Sequence, residues 1–244
     1  MCKFLSAIGL KNGDIICDPS IDSHEDLISF NELKESKLRN WVRIEYYPNE
    51  DKDYADLSKY VLHVDDTAFD WIDSTKESWE RKLRIRLKRI IVNEDKKYLP
   101  CGIYILGDCK IGQLTYGRII YAGCSTIKNA GYSTIKDAGC STIKNAGYST
   151  IEDAGHSTIE NAGCSTIEDA GHSTIKDAGH STIEDAWHST IEDAGHSTIE
   201  DAWYSTIKDA GHSTIKDAGH STIEDAGCST IKNKRNAKIS NGSA

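Results

Sequence analysis

One eight-residue phrase, Ala-Gly-x-Ser-Thr-Ile-(Lys/Glu)-(Asp/Asn), begins at Ala122 and returns every eight residues until Asn233, fourteen copies in all. No other feature of the 244 residues restricts the fold so tightly, because whatever one copy does its neighbours must also do. A helix is a poor answer: eight is no multiple of 3.6 or 3.5, and a glycine in nearly every copy costs about 1 kcal/mol each time. Polarity and low complexity would suit disorder. Against disorder stands an unvarying Ile among β-branched neighbours, followed by Asp/Asn-Ala-Gly, which reads as a strand and then a turn.

In such a strand, alternation places Ser and Ile on one face and Thr and Lys/Glu on the other. Ser and Ile must face inward, since the other set holds the charges. Eight residues are too few to close a turn of coil around a core. Two copies give a sixteen-residue rung with two facing strands, and rungs stack at about 4.8 Å. The third place of the phrase tests this: residues sixteen apart are identical in six of twelve comparisons, those eight apart in four of thirteen. One charge column agrees, with Glu160, Lys176, Glu192, Lys208 and Glu224 alternating in sign; the column Lys136, Glu152, Glu168, Glu184, Glu200 does not. Inward Ser hydroxyls are expected to hydrogen-bond along the stack.

The register continues beyond the clean copies. Ile103, Ile111, Ile119 and Ile239 keep the sixth place, with small Cys101, Cys109, Gly117 and Ala237 two residues before each. Residues 98–121 and 234–244 therefore read as degenerate capping repeats around the fourteen copies at 122–233. Residues 1–97 have different grammar and read as a small α+β domain. Asn12-Gly13 between apolar runs signals a hairpin. Ser23 is placed to cap a helix carrying Leu27, Ile28 and Leu33. NWVRIEYY and KYVLHVDD alternate as strands, and STKESWERKLRIRLKRI reads as a basic amphipathic helix. The fold class is thus an α+β domain followed by an all-β solenoid with two octapeptides per rung.

A net charge of -9 argues against nucleic acid or an anionic membrane as a direct partner. No apolar run approaches the ~20 residues that span a bilayer, and the opening residues lack a signal pattern, so the expected location is the cytosol, with the eight cysteines reduced.

The phrase AGYST at 130–134 and 146–150 resembles the octapeptide of bacterial ice nucleation proteins. That resemblance implies paired repeats in a β-solenoid whose flat Thr-x-Thr array orders water. Thr126, Thr134 and Thr142 match the first Thr, but Lys or Glu stands where the family has the second, which puts ice binding in doubt. The opening segment MCKFLSAIGLKNGDIICDPSIDSHEDLI resembles an uncharacterised domain that precedes short β-solenoid repeats in bacterial and phage proteins; this implies an architecture and no activity.

Candidate site residues lie on the outside of the repeat. Seven histidines hold the third place, and sixteen-residue rungs stack His156, His172 and His188 in one triplet and His180, His196 and His212 in another. Such stacks suit a transition metal only if a further ligand is fixed beside them; none is, so a solvated ladder is the favoured reading and no metal or cofactor is assigned. Protonation in mild acid would load like charges onto each stack. Trp187 and Trp203 replace Gly one rung apart, which predicts indoles stacked at one corner, beside Tyr204, as a place for a protein partner or for self-association. At the other copies this Gly reads as a turn residue with φ > 0. The repeat region carries -10, so an acidic mimic of DNA, like the pentapeptide-repeat proteins that bind topoisomerases, is an alternative to a binding scaffold. Cys2 as an N-terminal nucleophile and the His24-Glu25-Asp26 cluster are the enzymatic candidates; neither comes with a partner constellation, so the expected protein is no enzyme.

Overall fold

A computed structural model describes residues 5–240 except 20, 22, 36–38, 51, 52 and 67. The chain forms two compact units that divide between Ile91 and Val92. Cys2 lies outside the described residues.

In the first unit the hairpin forms as the Asn-Gly signal predicts. Strands β1 (Ser6–Leu10) and β2 (Ile15–Ile16) pair antiparallel, and Gly13 supplies the left-handed turn residue at φ +81°. β3 (Trp41–Pro48) and β4 (Tyr60–Val64) complete a four-stranded antiparallel sheet in the order β2-β1-β3-β4. Helix α1 (His24–Phe30) starts where Ser23 accepts a hydrogen bond from the Asp26 amide. It is shorter than its sequence suggests: Glu32 turns left-handed at φ 52°, so Leu33 lies past the helix and reaches back to the Ile28 carbonyl instead. Helix α2 (Ile72–Lys88) buries Ile72, Trp79, Leu83 and Leu87. His24 is buried, with Nε2 donating to the Ile44 carbonyl at 2.9 Å and Nδ1 3.6 Å from the Asp65 carboxylate.

The second unit is a parallel β-solenoid of about nine turns. Its strands alternate between two sheets, and every pairing within the clean repeats joins residues sixteen apart: Thr134 with Thr150 and Ile135 with Ile151 in one sheet, Thr142 with Thr158 and Ile143 with Ile159 in the other. Ile127 to Ile223 and Ala130 to Ala218, each at eight-residue steps, are fully buried. Each buried Ile contributes roughly 1.5–3 kcal/mol against exposure, two per rung. Ser fills the rest of the interior, and among the described residues no buried Ser hydroxyl lacks a hydrogen-bond partner. Ser149 Oγ accepts from the Ser133 amide at 3.3 Å and donates to the Ala130 carbonyl at 2.6 Å, and the pattern repeats along the stack.

The two ends depart from the ideal. Ile103 does not take the core place assigned to it. Tyr104 lies opposite Ile119, the register shifts between Tyr104 and Ile105, and Ile105 and Leu106 are the buried pair. The bridges Lys96 to Ile111 and Leu99 to Leu114 span fifteen residues, so the first turns are one residue shorter than the rest. At the other end the strand Lys238–Ile239 pairs with Thr222–Ile223, yet Ile231 is half-buried and Ile239 is 38% exposed.

Candidate functional site

The corners of the solenoid decide what the outer face presents. The left-handed residue of each turn is generally the one after the glycine. Eleven third-place residues, from Tyr132 to His220, have φ between 55° and 62°. Only at Cys124, Cys140 and Cys228 does the preceding glycine, Gly123, Gly139 or Gly227, take the positive φ instead. This corrects the expectation that the glycine is conformationally required throughout. A Cβ built on Gly179 or Gly195 meets nothing closer than 3.5 Å, and one on Gly211 meets nothing within 4 Å. Trp187 and Trp203 occupy this permissive place, which is why the turn accepts them.

Left-handed backbone points each third-place side chain outward along the rod, and the rings stack. In one ladder His156, His172, His188, Tyr204 and His220 follow one another at centroid spacings of 5.1, 5.1, 5.0 and 4.9 Å, with planes within 12° of parallel. In the other, Tyr116, Tyr132 and Tyr148 stack at 5.4 and 5.1 Å, and His180, His196 and His212 at 5.1 Å. Both predicted His triplets form. The rings lie parallel, 5.1 Å apart, and the described residues contain no group of three or more His, Cys, Asp or Glu fit to hold a metal.

The two indoles share a corner on adjacent rungs but, among the ring contacts of the described residues, do not stack on each other. Trp187 stands at 76° to His172 and 73° to His188, with centroids 5.0 and 4.5 Å away. Both faces of each imidazole are already covered within the ladder, so the indole meets their edges with its own face. Even so packed, the residue is 48% exposed. Trp203 leans the opposite way, over Tyr204 and His220 and across Gly219. Together the indoles and the ladder make an exposed aromatic strip five rungs long.

Carboxylates border this strip. The strands that enter the corner end in Glu168-Asp169, Glu184-Asp185 and Glu200-Asp201, the uniform acidic column seen in the sequence. Burial, with the charges of Asp185 and Asp217 beside it, holds the Asp201 carboxyl above the usual carboxylate range. No lysine or arginine of the described residues is ion-paired with Glu184, Asp185 or Asp201; Lys216 pairs with Glu200 at the edge of the column. On the opposite sheet, Lys208 and Glu192 of the alternating column pair at 3.4 Å.

The chain matches no family model, no curated protein and no solved structure. The ladder and its neighbours were visible in the periodicity; the acidic border was not singled out, although the run of Glu at steps of sixteen was its signal.

Proposed function

We propose that the protein is a non-enzymatic scaffold whose rigid solenoid presents the His172–His220 aromatic corner, with its acidic border, to a protein partner or to another copy of itself. The observation that supports this best is the exposure of Trp187 and Trp203 side by side, 48% and 38%, an apolar surface of a kind that proteins keep small unless something covers it. Aromatic anchors held on a rigid element suit a binding hot spot. The Thr ladders on both sheets do not favour ice binding, because the neighbouring outward place holds charged Lys and Glu, two pairs of them bridged across rungs. The test is cross-linking of the full-length protein in lysate of its source cells, beside Trp187→Gly/Trp203→Gly. Loss of specific adducts in the variant is expected; adducts unchanged by the double substitution would overturn the corner as the binding surface.

A further inference from the structure

Which chemistry fits a strip of aromatic faces bordered by uncompensated carboxylates? It is a surface with an apolar floor and a cationic rim. The first unit of this same chain carries one. Residues 81–89 hold six basic residues and no acidic one. Along the outside of α2, Arg81, Ile85, Lys88 and Arg89 are all exposed, Ile85 to 50%, and no ion pair among the described residues engages Arg81, Lys88 or Arg89. The other basic residues of the run are used internally: Lys82 bonds Asp14 and the Gly13 carbonyl, Arg84 bonds Glu80, and Arg86 bonds the Cys17 carbonyl. Beside this stripe lies a depression of about 260 Å³ lined by Asp14, Ile15, Lys82, Ile85, Arg86 and Arg89. Two isoleucines form its apolar part and three cations its rim.

We propose that the α2 face of one molecule docks on the Trp187/Trp203 corner of a second, indole against Ile85 and Ile15, with Arg81, Lys88 and Arg89 answering Glu184, Asp185 and Asp201. The inference rests on the corner being a binding surface, as proposed above, and names its occupant: a second copy of this chain. Indole faces take guanidinium groups by cation–π attraction, and carboxylates take them as ion pairs, so the same two partners satisfy both halves of the strip. The contact is heterologous, with each molecule offering one head face and one corner, so copies join head to corner in closed rings or open chains according to the rotation between them. The acidic corner also repels other copies of itself, which favours this pairing over corner to corner.

Sedimentation of the full-length protein tests this. The wild type should show a weight-average mass that rises with concentration between about 1 and 100 µM and returns to monomer at about 0.5 M salt. Trp187→Gly/Trp203→Gly, which restores the residue of the other repeats, and Ile85→Glu/Arg89→Glu, on an exposed helix face, should each stay monomeric with unchanged circular dichroism. Mixed together, the two variants should form a 1:1 complex and nothing larger, because each retains the face the other lacks. Three results would overturn the proposal: a wild type that is monomeric throughout, assembly that survives both variants, or variants that are folded but fail to pair when mixed. A monomeric wild type whose adducts in lysate still depend on the two Trp would remove the second copy as occupant and leave the scaffold reading standing. Adducts independent of the Trp would remove both.

Discussion

A single Ser in this solenoid carries more than its size suggests. Ser149 Oγ bridges the Ser133 amide and the Ala130 carbonyl of the rung before, which otherwise keep only the 3.2 Å bond between them, so Ser149→Ala should cost about 0.5–1.5 kcal/mol in urea unfolding. The glycines separate into two kinds. Gly139 has φ +51°, and an added Cβ would sit 2.7 Å from the Gly123 carbonyl oxygen, whereas Gly179 has room. Gly139→Ala should therefore destabilise by more than about 1 kcal/mol and Gly179→Ala by less than about 0.5 kcal/mol, read from the same urea curves. Asp137 offers a test with pH. Burial, with the charge of Asp153 added, holds its carboxyl above the usual range despite the hydrogen bond from the Gly139 amide. A raised carboxyl favours the folded state only while protonated, so its contribution is full below the unfolded carboxylate range and lost as pH rises through the raised value. Asp137→Asn keeps an acceptor for Gly139 and removes the charge. Its melting temperature should exceed that of the wild type at pH 7, with the gap closed at pH 3; an equal gap at both would refute the assignment.

A rung is the smallest unit that repeats without altering its surroundings. Deleting sixteen residues, 162–177, should leave the β-sheet circular dichroism per residue intact and lower the melting temperature by only a few degrees, as in a one-dimensional stack. Deleting Thr190 alone should do worse, because a one-residue slip turns Ile191 from the core to the solvent. This architecture was legible because the Ile period of eight marks one strand per repeat and the third-place identities pair the repeats at sixteen. The ends were less so: at Ile103 the period of eight continues in the sequence, but adjacent Tyr104, Ile105 and Leu106 offer a competing apolar set, and a shift of register there buries Ile105 and Leu106. The corners were legible in composition and not in conformation. The same Asp-Ala-Gly triplet makes two turns. Asp137 and Asp153 end extended strands and cap the glycine amide two residues on, whereas from Asp177 to Asp225 this place is left-handed, with φ between 44° and 50°. Trp187 stands out in the repeat by replacing Gly, but its perpendicular setting against His172 and His188 follows from imidazoles whose faces are already occupied, which the sequence does not display.

Across the molecule, charge is distributed unevenly: a basic stripe on α2 and an acidic border on the solenoid, within a chain of net charge -9. The assembly proposed between copies should therefore be screened by salt, whereas the folding of either unit should depend on salt far less. A consequence of a different kind follows from the sixteen-residue pairing. Almost every strand contact in the solenoid closes a loop of the same length, so adding a rung carries the same entropy penalty wherever it occurs. Folding can then advance turn by turn from a rung already formed, at a pace that does not slow as the structure lengthens. During synthesis each completed turn has a finished template behind it, and a gene that gained or lost forty-eight nucleotides here would encode a chain that folds by the same route.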